Sequence, residues 1–147
     1  MKKAFLAVGN TLRGDDGIAS ELGKLIEESG DGWRVFYGED VPENEFHNIK
    51  KYEPDLIIVA DAVTGMKVGV VNVLDLSSEI DYIYSTHNIP TPVLISYLRN
   101  FCQNVFFLGL GVDILNVLEI NPELSNEAKE TAKKGLVKIK EIDKIFS

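Results

Sequence analysis

The sequence predicts an α/β fold built on a mostly parallel sheet covered on both faces, and three features of the chain lead there. Four short apolar runs rich in β-branched or aromatic residues, at 4–8, 33–37, 56–60 and 105–110, recur between polar stretches of helical character. Runs that are apolar throughout, alternating with helices, are the pattern of βα units whose strands are buried on both sides. A fifth run, 68–74, follows the third after only the short Thr64-Gly65-Met66 connection. That is too short for the helical crossover a parallel neighbour needs, so this strand is expected to be antiparallel.

The helices follow from their boundaries and faces. The first is expected from near Asp16 to Gly30, where glycine can take the left-handed conformation that ends a helix, with Leu22, Leu25 and Ile26 on one face. A second lies between Pro42 and Lys51, closed by Pro54. A third should run from about Pro92 to Phe101, directing Val93, Leu94, Tyr97 and Leu98 at the sheet. The last is expected to open at Asn121-Pro122, an N-cap followed by proline at the first helical position, and to turn Leu124, Ala128, Leu136, Ile139 and Ile142 inward.

The 147 residues, 45% of them hydrophobic, can close one α/β core and are too few for two ordinary domains. A single domain over residues 1–147 is therefore expected, with no repeat, low-complexity segment or interdomain linker. Fifteen basic residues against twenty-three acidic ones leave a net charge of -8, which repels a phosphate backbone and argues against a nucleic-acid partner. The single Cys102 permits no internal disulfide and no cysteine-rich metal site, which fits a reducing, cytoplasmic compartment. Residues 4–8 form too short an apolar run for membrane insertion.

In a parallel α/β sheet ligands bind beyond the carboxyl ends of the strands, so polar residues there are the first candidates for chemistry. Three segments qualify: Gly9-Asn10-Thr11-Leu12-Arg13-Gly14-Asp15-Asp16-Gly17, Asp61-Ala62, and Thr86-His87-Asn88. The first contains glycines but lacks both the Gly-Lys-Ser/Thr ending and the Gly-x-Gly-x-x-Gly spacing of phosphate loops. It also sets two carboxylates where a phosphate needs positive potential. Asp15 reads as a helix cap, so that its removal should cost about 1 kcal/mol. Asp16 reads either as a second cap or as a functional acid aimed at the sheet edge. Asp61 ends its apolar run and is expected at the strand tip rather than in the core, as a turn residue or a ligand. His87 is held in a loop by Pro90, whereas His47 sits on a polar helix and is given no role. Two carboxylates and one imidazole suit a divalent transition metal with open coordination positions.

With Val41-Pro42-Glu43-Asn44, Val59-Ala60-Asp61-Ala62 and Thr86-His87-Asn88-Ile89-Pro90, the first segment stands in the order and spacing of a known family. The chain closely resembles, over nearly its whole length, the NiFe-hydrogenase maturation endopeptidases, especially the branch acting on membrane-bound, hydrogen-evolving hydrogenases. The resemblance implies a three-layer α/β/α fold with a five-stranded mixed sheet whose fourth strand is antiparallel. It puts the metal ligands, which are also the catalytic residues, at Asp16, Asp61 and His87. It implies a substrate, the large-subunit precursor, that carries nickel on its own cysteines and loses its C-terminal extension. In isolation such a site is expected to accept nickel, zinc or cadmium. One departure stands out: the family often shows Asp-Gly-Gly after strand two, where this chain reads Tyr37-Gly38-Glu39-Asp40. The family's aspartate aligns with Tyr37, so either Glu39 or Asp40 supplies the carboxylate, or this branch dispenses with it. No Ser-His-Asp or Cys-His set fits, which favours a metal-polarised carbonyl and carboxylate-delivered water, with the general base left open. Cys102 reads as core. A non-cleaving, nickel-sensing chaperone and a nucleotide-binding α/β protein are the competing readings.

Overall fold

The computed structural model describes residues 1–75 and 90–147. Five strands among them, β1 (Lys3–Val8), β2 (Trp33–Glu39), β3 (Leu56–Val63), β4 (Val71–Leu74) and β5 (Asn104–Gly111), join one sheet in the order β2-β1-β3-β5-β4. All neighbours are parallel except β4, which runs antiparallel to β5. The fourth strand in chain order is thus the inverted one, as expected, and it starts at Val71 rather than Val68 because Val70 N–H closes a turn on the Lys67 carbonyl at 3.2 Å.

The described helices are α1 (Ile18–Ser29), α2 (Phe46–Tyr52), α3 (Thr91–Leu98) and α4 (Asn126–Phe146). Successive strand residues point to opposite faces, and the core divides accordingly. Phe5, Ala7, Ile58 and Ala60 pack with Leu22 and Ile26 of α1 and Ala132 and Ile139 of α4. Leu6, Val8, Ile57 and Val59 pack on the other side with Ile49 of α2 and Leu94, Ile95 and Leu98 of α3. The three layers of an α/β/α sandwich result. None of the helices among the described residues is long and apolar enough to cross a membrane.

Two helices differ from expectation. In α3 the buried face is Leu94, Ile95 and Leu98, while Val93 and Tyr97 are exposed. Pro90 starts the helix in extended conformation (ψ 140°) and so fixes its rotation, and Tyr97 stacks on Phe46 of α2 with ring centroids 4.5 Å apart. In α4 the N-cap is Ser125, whose Oγ accepts from Ala128 N–H at 3.1 Å, not Asn121. Asn121 instead forms a turn with Glu123 N–H and is tied by its backbone to Leu12 and Gly14.

Candidate active site

The strand order places β2 on one side of β1 and β3 on the other, so the chain leaves β1 toward β2 and opens a crevice between β1 and β3. Such a switch point is where doubly wound sheets bind ligands. The crevice begins at Asp61. The β1–β3 pairing ends at Ala7↔Ala60, whereas β3 continues against β5 through Asp61↔Gly109, Ala62↔Leu110 and Val63↔Gly111. Asp61 is therefore inside β3 and 1% exposed, not at the strand tip the apolar run implied. The strand outlasts the apolar run because β5 still needs its backbone partners.

Burial and the nearby charge of Asp16 hold the Asp61 carboxyl well above the usual aspartate range, opposed by the Ala62 amide, which donates to Asp61 Oδ1 at 2.8 Å. A carboxylate in such a place costs free energy, the condition under which perturbed acids mark functional sites.

Asp16 comes from the other wall. After β1 the chain turns at Gly9 (φ 129°), and a Cβ there would lie 2.0 Å from the Asp16 carbonyl oxygen and 3.4 Å from Asp61 Oδ1. Only glycine lets the backbone pass between the two acids. Asp16 then lies in a short 3-10 turn, Gly14–Gly17, ahead of α1, and its Oδ2 accepts from Asn10 N–H at 2.7 Å. Asp16 is 5% exposed, and neither it nor Asp15 caps α1, whose N-cap is Gly17. Its side chain is aimed back across the loop.

Asp15, read from sequence as a cap, points away and binds the C-terminal part of the chain. Its oxygens accept from Ser125 N–H at 2.8 Å, Ser125 Oγ at 2.7 Å and Asn116 Nδ2 at 3.2 Å. This buried acid joins the site loop to the N-cap of α4. Sequence gave no sign of it, because the partners lie about a hundred positions away.

The departure at Tyr37 has a geometric explanation. The β1–β2 register shifts between Ala7 and Val8, so that Val8 pairs with Glu39 and Gly38 is the extra residue of a bulge. A side chain at Gly38 would meet Pro42 Cα at 2.8 Å. Tyr37 turns to α1, where its hydroxyl bonds Glu27; burial, reinforced by that acid, raises its pKa. Glu39, with φ 51°, bends to the site loop: its carbonyl accepts from Gly9 N–H at 2.7 Å and its carboxylate from Thr11 Oγ1 at 3.2 Å. Asp40 is exposed. The run read from the sequence stopped at Tyr37, whereas β2 continues to Glu39 and so takes in Gly38, a glycine of the kind that marks bulges within strands.

Of the three predicted ligands, Asp16 and Asp61 come together at the crevice, and His87 lies outside the described residues. Among the described residues no group of three or more His, Cys, Asp or Glu is placed to hold a metal ion. Cys102 is buried, which pushes its thiol pKa up and suits a core residue.

No family model matches the chain. It is 30% identical over 134 residues to the Hydrogenase 3 maturation protease of Escherichia coli, covering 89% of this chain and 86% of that one. Its fold matches a crystal structure of a protein from Wolinella succinogenes with a TM-score of 0.84 and 46% identity over 100% of both chains. It also matches the solution structure of an endopeptidase from Escherichia coli with a TM-score of 0.80 and 26% identity, over 93% of this chain and 88% of that one.

Proposed function

The chain belongs to the hydrogenase maturation proteases and is thus a hydrolase of peptide bonds, and from that premise we propose that it removes the C-terminal extension of a nickel-loaded hydrogenase large-subunit precursor. The observation that carries this reading is the pair Asp16 and Asp61 converging at the β1–β3 crevice, one of them buried within a strand at evident electrostatic cost.

The pair suits a cation that arrives with the substrate. Two hard oxygen donors, joined by His87, would complete the coordination of nickel already held by the precursor, and nickel so placed polarises the neighbouring peptide carbonyl. Metal contact would need Asp61 in its deprotonated form, which the charge of the nickel favours. Isolated protein would take nickel, zinc or cadmium at the same residues. Glu39, drawn to the loop by Thr11, supports the reading that it replaces the carboxylate aligned with Tyr37. We place the reaction in the reducing cytoplasm, where Cys102 stays a buried thiol.

The test is the mass of the precursor after incubation. Nickel-loaded precursor should lose its extension and nickel-free precursor should keep it. An intact tail in a stable complex would favour a non-cleaving chaperone, and equal cleavage of both forms would remove nickel from the account.

A further inference from the structure

Large apolar side chains stand exposed on two loops that the fold locks together, the one after β1 and the one between β5 and α4. Leu12 is 59% exposed, Leu115 72%, Leu118 48% and Ile120 84%. Scattered apolar residues on a surface need no explanation, but a set carried on two loops bonded to each other does. Arg13 Nε and a terminal guanidinium nitrogen donate to the carbonyls of Val117 and Leu118 at 3.2 and 3.1 Å. Asn121 N–H donates to the Leu12 carbonyl at 2.8 Å, and Gly14 N–H to the Asn121 carbonyl at 2.7 Å. Asp113 Oδ1 caps the turn at Leu115 N–H, at 3.0 Å.

We infer that Leu12, Leu115, Leu118 and Ile120 form the docking surface for an apolar segment of the hydrogenase precursor flanked by basic side chains. This rests on the protease reading above.

Continuity with the site is the first argument. Leu12 belongs to the turn closed by Arg13 N–H on the Asn10 carbonyl, and the amide of the same Asn10 holds Asp16. Leu12 thus sits on the same loop as Asp16. Charge selects the occupant. Glu119 and Glu123 line a hollow of about 320 Å³ together with Leu115, Ile120 and Leu124, within a protein of net charge -8. A second copy would meet this face with the same acids, since a two-fold contact opposes like patches, and an anionic lipid surface would be repelled. A basic, apolar peptide segment satisfies both the leucines and the rim.

The experiment is steady-state cleavage of nickel-loaded precursor by wild type, by Leu115→Ser/Ile120→Ser and by Glu119→Lys/Glu123→Lys. All four side chains lie outside the buried core, so thermal unfolding should match wild type. Each double variant should raise KM roughly tenfold with kcat retained, the magnitude expected when interface anchors are lost. The charge variant should also flatten the salt dependence of kcat/KM. Unchanged KM in both variants, or a loss confined to kcat, overturns the docking surface while wild-type cleavage upholds the protease. No cleavage by wild type overturns both. Light scattering that shows a wild-type dimer broken by Leu115→Ser/Ile120→Ser, or sedimentation of the wild type with phosphatidylglycerol vesicles, assigns the patch to another occupant and overturns it as well.

Discussion

A carboxyl group buried in a strand beside a second acid holds its proton above the usual aspartate range, and Asp61 is such a group. A folded-state pKa above the unfolded one means that the folded chain retains a proton the unfolded chain has released. The stabilisation is complete below the ordinary aspartate value and is lost as pH rises from about 4 through the raised pKa. Asp61→Asn keeps the shape and removes the titration. Its unfolding temperature relative to wild type should therefore climb with pH across that window, and a constant difference would contradict the burial argument. At Gly9, φ 129° and the approach to the Asp16 carbonyl leave no room for a side chain. Gly9→Ala should cost on the order of 3 kcal/mol in denaturant unfolding, and should impair cleavage in whatever fraction folds.

At the scale of elements, the loop after β1 is held from two sides, by the Glu39 carbonyl of β2 just past the bulge and by the Asp15–Ser125 bonds at the start of α4. Asp15→Ala strands three donors, so its expected loss is about 2–4 kcal/mol rather than that of a helix cap. Ser125→Ala should cost about 1–2 kcal/mol through the lost cap. Because the two share bonds, the double variant should lose less than the sum of the singles, and strict additivity in urea unfolding would show the contacts to be independent. These links explain what the sequence left hidden. Strands 4–8 and 56–60 were legible because apolar runs advertise two-sided burial, and Gly30 announced the end of α1 through its left-handed φ of 68°. The start of α4 was not, since Asn121-Pro122 carries a valid capping signal and only the tertiary bond to Asp15 makes Ser125 the cap instead. Likewise the face of α3 was misread at Val93 and Tyr97, which are exposed while Ile95 is buried, and Tyr97 finds its partner on α2 rather than in the sheet.

On the scale of the whole molecule, the order β2-β1-β3-β5-β4 converts acids 45 positions apart, Asp16 and Asp61, into neighbours at one rim. The sequence made both acids candidates through their place after strands. It misjudged the depth of Asp61, because the partner that extends β3 beyond the apolar run, β5, lies far along the chain. The acids, joined by His87, are expected to meet the substrate's nickel, and cleavage should depend on them. The direct measurement is single-turnover cleavage of nickel-loaded precursor, read by mass, for wild type, Asp16→Asn, Asp61→Asn and His87→Ala, with unfolding temperatures taken in parallel. Folded variants should cleave at least about a hundredfold more slowly than wild type, as expected when a metal's protein contacts are removed. Cleavage at the wild-type rate by folded Asp16→Asn and Asp61→Asn proteins would contradict it.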